Sequence, residues 1–198
     1  MNLPRKATVE RTTAETDISL EIYLDGSGMS DIDSGCGFLD HMLTLFSKHS
    51  RIDISLRCNG DTYVDFHHTV EDVGICLGEA IKSALGDMKG ICRFGYMILP
   101  MDEALILTAV DISGRAQLCC SLNIPAQKVG NFDTELCEEF MAALARSAEI
   151  SLHIKQLDGK NSHHIIEGAF KSLAKSMRAA VKIDPDAEGE IPSTKGVL

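Results

Sequence analysis

His67-His68-Thr69-Val70-Glu71 and His163-His164-Ile165-Ile166-Glu167 are two copies of one pattern, HHxxE, placed 96 residues apart in a chain of 198 residues. Each copy opens a segment whose apolar residues recur every three or four positions, as Val70, Val73 and Leu77 do after the first copy, so each is predicted to begin a helix. Four of the seven histidines lie in these two dipeptides. A pattern that returns in this way indicates a chain built from two similar halves.

The segments around each copy follow the same order. The first half is predicted to contain strands near 5–14 and 18–24, a helix at 38–49, a strand at 52–56 and a helix from 67 to 85. The second half is predicted to contain strands at 104–112 and 116–124, a helix at 134–149, a strand at 151–156 and a helix at 162–181 with Ser162 as its N-cap. Both halves therefore read strand-strand-helix-strand-helix, which predicts an α+β fold with mostly antiparallel sheets covered on one side by helices. We assign 1–90 and 91–183 to the two halves and 184–198 to an irregular C-terminal tail.

Composition narrows the class of protein. With 19 basic and 29 acidic residues the formal net charge is −10, which argues against nucleic acid or an anionic membrane surface as the main partner. Hydrophobic residues make up 44% of the chain, enough for a packed core, and no apolar run approaches the roughly 18 residues of a membrane span. The seven cysteines are scattered without CxxC spacing and no apolar stretch opens the chain, so we expect a reduced, cytoplasmic protein without a signal peptide.

The two motifs carry residue types that bind transition metals. His67 and Glu71 are four residues apart and share one helix face, on which they can hold the same cation. His68 points roughly 100° around the helix from His67, so it cannot readily bind the same ion. Each motif should therefore give two ligands to one metal and one ligand to another. Applied to both copies, this rule predicts one site with His67, Glu71 and His164 and a second site with His163, Glu167 and His68.

A fourth ligand for each site is expected on the helix that precedes each motif. His41 lies 26 residues before the first motif, and Glu139 lies 24 residues before the second. The result would be a His₃Glu site and a His₂Glu₂ site, whose nitrogen and oxygen ligands suit Mn, Fe or Zn. One HH pair at a helix start is more often a capping or surface feature, but two copies with Glu at the same offset favour metal binding. A structural zinc clip is disfavoured because the motifs lack thiolates.

Cations and acids outside the motifs are weaker signals. A phosphate could be bound by four cations and two hydroxyl groups, those of Arg93, Arg115, Lys171, Lys195, Ser193 and Thr194. Scattered cations are usually solvated, and single histidines such as His49 and His153 are usually structural. Two predicted turns present carboxylates, one at Glu15 and one at Asp102-Glu103, but surface carboxylates are common as well.

Seven segments, taken together, resemble the imidazoleglycerol-phosphate dehydratase family. In chain order they are GFLDHML (37–43), HHTVEDVG (67–74), RFG (93–95), PMDEAL (100–105), SGR (113–115), GKNSHHIIEGAFK (159–171) and IPSTKG (191–196). The similarity extends over almost the whole chain without a large insertion, so we expect the monofunctional form, without a fused phosphatase domain. The resemblance implies a hydro-lyase of histidine biosynthesis that converts D-erythro-imidazoleglycerol phosphate into imidazoleacetol phosphate.

The resemblance also implies a fold, an assembly and cofactors. The fold would be that of ribosomal protein S5 domain 2, and trimers of the chain would build a 24-subunit shell in which metal ligands come from different subunits. Each active site would bind two Mn(II) ions, which agrees with the crossed ligand sets. One ion would be held by His41, His68, His163 and Glu167. The other would be held by His67, Glu71, His164 and Glu139, and many members carry histidine at the position of Glu139.

Roles for further residues follow from the same resemblance. Phosphate would be bound by His49, Arg93, Arg115, Lys171, Ser193 and Lys195, while Glu15 and Asp102 match carboxylates of the substrate site. The two ions would hold the imidazole ring as imidazolate, which can expel the neighbouring hydroxyl before a carboxylate removes the carbon proton. Our hypothesis for this base is Glu167, with Glu15 as a second candidate for proton transfer.

Two other functions fit parts of the sequence. A non-catalytic metal-binding or storage shell would explain the acidic character and the doubled motif, but it has no use for a phosphate pocket. A di-metal hydrolase of a phosphate ester would usually bridge its ions with Asp or Glu, whereas these motifs are rich in histidine. We rank both below the dehydratase.

Overall fold

The structure, a computed structural model, describes residues 4–187 and 189–198, which form ten strands, four α-helices and one 3₁₀ turn (Pro185–Ala187). The first half contains β1 (Lys6–Thr12), β2 (Thr16–Tyr23), β3 (Ser30–Asp33), α1 (Gly37–Ser50), β4 (Asp53–Gly60) and α2 (His67–Leu85). The second half contains β5 (Phe94–Met101), β6 (Ala104–Asp111), β7 (Gln117–Ser121), β8 (Lys128–Val129), β9 (Phe132–Asp133), α3 (Leu136–Ala148), β10 (Ser151–Asp158) and α4 (Ser162–Val181). Among these helices none combines the length and the apolar character needed to cross a membrane.

Each half forms its own four-stranded sheet with the same topology. The strand order is β1-β2-β4-β3 in the first half and β5-β6-β10-β7 in the second. Three strands of each sheet are antiparallel to their neighbours, and the fourth, β3 or β7, runs parallel to β4 or β10. The predicted α+β class and the two similar halves are therefore confirmed.

The four-stranded sheet of each half holds one strand more than the sequence pattern predicts, and the second half also contains the short pair β8 and β9. In the second half the missed strand is β5, whose Phe94, Tyr96 and Ile98 are apolar although they are 58%, 79% and 52% exposed. Because apolar side chains occupy both faces, the alternation that signals a half-buried strand is absent. The strand predicted at 116–124 exists as β7, but it does not pair with β6 across the intervening turn. It runs parallel to β10 instead.

The helices lie between the two sheets and exchange partners across the halves. α1 and α2 contact the first sheet, α3 and α4 contact the second, and α1 packs on α4 while α2 packs on α3. The close approach of α2 to α3 depends on two glycines. A Cβ atom on Gly78 would lie 2.8 Å from the carbonyl oxygen of Leu144, and one on Gly74 would lie 3.0 Å from that of Phe140. Each motif helix therefore packs against the helix that carries its predicted fourth ligand.

Both motifs stand in the first turn of a helix, as the repeat predicts. The N-cap of α4 is Asn161 and not Ser162, because the Asn161 side chain accepts a hydrogen bond from the His164 N–H at 3.2 Å. Ser162 is buried, and its hydroxyl accepts a hydrogen bond from a loop N–H. At the start of α2, Asp65 accepts a hydrogen bond from the His67 N–H at 2.7 Å. These contacts satisfy N–H groups that a helix start leaves without partners.

Candidate metal centre and substrate site

His41, His163 and Glu167 form a compact group of metal-binding side chains where α1 meets the start of α4. One ligand atom of each lies within 4.8 Å of the others. The Nε2 atoms of His163 and His41 are 3.1 and 3.6 Å from Glu167 Oε2. Glu167 is 7% exposed while both histidine rings are partly exposed, so the group opens to the surface. Phe38 packs beside the His163 ring in an edge contact with centroids 5.3 Å apart.

The other oxygen of Glu167 is bound by Lys171, one helical turn later. Lys171 Nζ lies 2.5 Å from Glu167 Oε1, and the Lys171 side chain is largely buried. Burial opposes ionisation of Glu167, but the hydrogen bonds and charges of Lys171 and His163 together outweigh it and hold the pKa of the carboxyl below its usual value. Glu167 is therefore an anion at neutral pH, and one of its oxygens faces the two histidines.

His67 and Glu71 form the corresponding pair at the start of α2. His67 Nε2 is 3.9 Å from Glu71 Oε2, and Arg146 of α3 binds the other carboxylate oxygen at 2.9 Å. Glu139 lies at the same end of the helix pair, because the start of α2 packs beside the start of α3. Within the described residues, Glu139 does not complete a group of three ligands with His67 and Glu71.

The second histidine of the first motif, His68, points away from both groups. Its Nδ1 atom is 2.9 Å from Asp61 Oδ2, in the loop after β4. Its Nε2 atom is 3.6 Å from Oε1 of Glu15, which lies in the β1–β2 turn as predicted. The hydrogen bond with Asp61 raises the pKa of the His68 ring above its usual value.

The second histidine of the other motif, His164, has the same kind of surroundings. Its Nδ1 atom is 2.7 Å from Glu103 Oε2, and its Nε2 atom is 3.5 Å from Asp102 Oδ2. Both carboxylates come from the turn between β5 and β6. The hydrogen bond from His164, together with the Asn161 N–H, lowers the pKa of Glu103 to about 2. The carboxylate is therefore ionised wherever the protein is folded near neutral pH.

The donor set fits divalent metals, but one chain splits each predicted ligand set. Imidazole nitrogens and carboxylate oxygens suit Mn, Fe and Zn, and the group of His41, His163 and Glu167 already offers three of them. His68, the fourth predicted ligand of that set, is engaged with Asp61 instead. His164 is likewise separated from His67 and Glu71. In each set the first histidine and the glutamate of one motif lie close together, while the histidine expected from the other motif lies elsewhere on the same chain.

Two of the predicted phosphate ligands lie near this metal group. Lys171 contacts Glu167 directly, as described above. His49, near the end of α1, faces the same helix, and burial together with Lys175 and Lys171 lowers the pKa of its ring. His153, by contrast, is an exposed residue of β10 and contacts none of these side chains among the described residues.

The remaining phosphate candidates belong to the second sheet and the C-terminal segment: Arg93, Arg115, Ser193 and Lys195. Arg93 pairs with Asp111 at 2.7 Å and donates to the carbonyl of Pro192 at 2.8 Å, so it anchors the C-terminal segment to the sheet. Arg115 and Lys195 are exposed. The predicted phosphate ligands of one chain therefore lie in two places, some near the group of His41, His163 and Glu167 and the others near the C-terminal segment.

Asp61 and Glu103 are two residues to which sequence reasoning assigned no role. Each binds the Nδ1 atom of a motif histidine: Asp61 from the loop that leads from β4 into α2, seven residues before His68, and Glu103 from a turn 61 residues before His164. A carboxylate next to a motif in space leaves no spacing pattern along the chain. Only the fold brings these pairs together.

The chain is similar to known proteins over most of its length. The family model described as imidazoleglycerol-phosphate dehydratase matches residues 34–177. Imidazoleglycerol-phosphate dehydratase of Desulforamulus reducens is 57% identical over 196 residues, which cover 99% of this chain and 100% of the relative. The enzyme of that name from Rhodopseudomonas palustris (strain BisB5) is 55% identical over 194 residues, which cover 98% of each chain.

Two solved structures resemble the chain as a whole. The imidazoleglycerol-phosphate dehydratase of Staphylococcus aureus superimposes with a TM-score of 0.83 at 38% identity, over 90% of this chain and 99% of the other. The Pyrococcus furiosus protein, solved in complex with (S)-C348, has a TM-score of 0.83 at 40% identity, over 96% of this chain and 100% of the other.

Proposed function

We propose, from the premise that the chain belongs to the imidazoleglycerol-phosphate dehydratase family, that it acts through two Mn(II) ions in each active site. Its role is that of a hydro-lyase in histidine biosynthesis, converting D-erythro-imidazoleglycerol phosphate into imidazoleacetol phosphate. The observation that carries the metal proposal is the group of His41, His163 and Glu167, three donors within 4.8 Å of one another. The repeat supplies a second, related set on α2 and α3.

The two ligand sets would be completed between copies of the chain. One ion would be held by His41, His163 and Glu167 of one copy and by His68 of another. The second ion would be held by His67, Glu71 and Glu139 of one copy and by His164 of another. This division is supported by the contacts of His68 and His164, which engage Asp61 and Glu103 and not the ligands of their own chain.

The side chains around the ions would bind and orient the substrate. When bound, the two ions would hold the imidazole ring as its anion and so favour loss of the neighbouring hydroxyl. The phosphate would be bound by guanidinium groups, which can take two oxygens each, and by ammonium groups as point charges. These ligands would be Arg93, Arg115, Lys171 and Lys195, with His49 and Ser193.

The phosphate ligands, too, would meet on one substrate only between copies. The backbone of Arg93 contacts α4 at Ala180, about 13 Å along the helix from Lys171. This separation argues against Arg93 and Lys171 of one chain binding the same phosphate group. A shared site removes this difficulty, since one copy would supply Lys171 and His49 and another would supply Arg93 and the C-terminal segment.

Proton removal from carbon requires a carboxylate that is able to accept the proton. Glu167 has one oxygen on Lys171 and the other toward two histidines, which favours a ligand role over the role of a base. Glu15 is 52% exposed and lies 3.6 Å from His68 Nε2, beside the place where an ion would bind. We assign proton removal to Glu15, and we place Asp102, in the corresponding turn beside His164, at the other side of the substrate.

The assembly and its location are part of the same proposal. Shared ligands call for self-association, and we propose a 24-subunit shell of trimers in the cytoplasm. The reduced state expected there is in keeping with the spacing of the seven cysteines, which follows no paired pattern.

The experiment that tests the proposed function is dehydration of imidazoleglycerol phosphate by protein stripped with a chelator, with and without added Mn(II). Activity that is absent after stripping and restored by Mn(II) is the expected result. Full activity of completely stripped protein would contradict the metal role. Stoichiometric Mn(II) binding without any dehydration would favour the metal-storage shell instead.

A further inference from the structure

Asp61 contacts the ring of His68 with one carboxylate oxygen and leaves the other without a hydrogen-bond partner in the part of the chain that the structure describes. Its Oδ2 atom binds His68 Nδ1 at 2.9 Å, and its backbone N–H donates to the carbonyl of Glu15 at 3.0 Å. The Oδ1 atom of Asp61 is buried and has no hydrogen-bond partner among the described residues. A buried oxygen without a partner is destabilising, so a carboxylate at this position calls for an explanation other than stability.

Glu103 makes the equivalent contact in the other half. Its Oε2 atom binds His164 Nδ1 at 2.7 Å, while Oε1 accepts hydrogen bonds from the N–H groups of Asn161 and Lys160 at 2.8 and 3.3 Å. One carboxylate thus fixes both the loop that leads into α4 and the ring of the second motif histidine.

The two contacts are alike although the carboxylates come from different places in the repeat. Asp61 follows the strand that precedes its motif helix, whereas Glu103 lies in the first hairpin turn of its half. In both motifs the rings of the adjacent histidines have centroids 6.3 Å apart and planes at 80°. Unrelated positions that reach the same ring nitrogen indicate a shared requirement, which is the direction of Nε2.

We propose that Asp61 and Glu103 are positioning residues that hold His68 and His164 with Nδ1–H on the carboxylate and the Nε2 lone pair directed outward, ready to bind an ion on another copy. The proposal rests on the proposed function, since it concerns the two histidines that would bind an ion held by another copy of the chain. A carboxylate on one ring nitrogen fixes which nitrogen is available to a metal and increases its basicity. Loss of such a contact typically lowers metal affinity roughly 10–100-fold.

The test measures Mn(II) affinity and stoichiometry by equilibrium dialysis and metal analysis of the assembled protein. Asp61→Ala should weaken the ion that His68 completes, and Glu103→Ala should weaken the ion that His164 completes, each by roughly 10–100-fold. The amide variants D61N and E103Q retain an oxygen that accepts the Nδ1–H, so they should lie between the alanine variants and the unsubstituted chain. Glu10→Ala is the matched control, because Glu10 is an exposed carboxylate bound to Ser19 and not to a motif histidine.

A second arm separates the two sites. In a His41→Ala background, which removes a ligand of the first ion, the remaining ion should be insensitive to D61A and weakened by E103A. Circular dichroism and the melting temperature of the metal-free variants show whether each is folded. If D61A fails to fold, D61N carries the comparison.

The outcomes distinguish this inference from the function on which it rests. Folded D61A and E103A variants that bind both ions as tightly as the unsubstituted chain would overturn the positioning role alone. Equal weakening of both ions by either variant would also overturn it, since each carboxylate touches one histidine only. An unsubstituted chain that binds no Mn(II) would overturn the proposed function, and the positioning role with it.

Discussion

Neighbouring histidines on a helix face different directions, and this property of single residues governs the whole site. Side chains one position apart are rotated by about 100° around the helix axis. In both motifs the two rings are 6.3 Å apart at their centroids and nearly perpendicular. In the proposed function one HH pair would therefore serve two ions, and copies of a chain with two such pairs would share metal ligands.

In the proposed mechanism Glu15 is the residue on which proton transfer would depend most directly. Glu15→Gln should lower turnover by roughly 10²–10⁴-fold, the usual contribution of a positioned general base, while Mn(II) content stays unchanged because Glu15 is not a ligand. Steady-state kinetics and metal analysis on the same preparation measure both. Asp17→Asn, a nearby exposed carboxylate on β2 bonded to Thr12, should keep full turnover. Unchanged turnover in E15Q would exclude Glu15 as the base.

One buried thiol, Cys76, and two half-buried ones, Cys58 and Cys120, lead to a prediction about reactivity near neutral pH. Burial raises the pKa of Cys58 and Cys120 to about 11 and that of Cys76 to about 12. Because the thiolate is the reactive form, these three should stay protonated and unlabelled by iodoacetamide in the folded protein at about pH 8, and should react once it is unfolded in urea. Peptide mass spectrometry measures each site, with exposed Cys119 as the comparison. Labelling of Cys76 in folded protein as fast as in urea would contradict the burial.

At the scale of elements, the contact between α2 and α3 sets the position of the second ligand set. Gly78→Ala would place a methyl group against the backbone of α3, within 2.8 Å of Leu144 O and Ala148 N, so we expect destabilisation of about 1–3 kcal/mol. Gly37→Ala is the matched control, since its Cβ would meet nothing within 4 Å, and it should be neutral or stabilise by about 0.4–1 kcal/mol. Thermal unfolding of both variants measures the difference. A G78A variant as stable as G37A would show that the helices separate readily.

Sequence periodicity predicts the helices well and the strands less well, for physical reasons. The motif helices α2 and α4 have wide apolar stripes, and their boundaries at 67–85 and 162–181 agree with the structure. Strand β5 escapes prediction because Phe94, Tyr96 and Ile98 make its exposed face apolar. Strand β3 is short and polar, and it lies beside β4 by parallel pairing, which leaves no hairpin signal.

The candidate site of the whole molecule is predictable from the sequence only in part. Helical spacing predicts that the first histidine and the glutamate of each motif lie on one face. It also predicts that His68 and His164 face another direction and would bind a different ion. Asp61 and Glu103 could not be found from helical spacing, because both lie outside the motif helices, and only the fold brings Glu103 to His164. The division of the phosphate ligands over two places is likewise a property of the folded chain.

Removal of the metal should loosen the assembly. An ion that binds the associated copies and not the separated ones stabilises association by mass action. Complete chelation should therefore convert the large particle into smaller oligomers in sedimentation velocity, and added Mn(II) should restore it. A large particle that persists unchanged after complete chelation would count against metal ligands shared between copies.

The most direct test of shared metal centres is complementation between inactive variants. His41→Ala damages the ligand group that stays within one copy, whereas His68→Ala removes the ligand supplied by another, so each variant alone should be nearly inactive. When the two are dissociated, mixed and reassembled, some sites combine an intact group from an H68A copy with His68 from an H41A copy. Random mixing of equal amounts gives about a quarter of such sites.

The control mixture is His41→Ala with His163→Ala, in which every copy has a damaged group and no combination restores one. Dehydratase activity of the reassembled H41A and H68A mixture is the measurement. We predict recovery to about a quarter of the unsubstituted activity, with none in the control mixture. No recovery in mixtures that demonstrably contain both variants in one particle would contradict a metal centre built between copies of the chain.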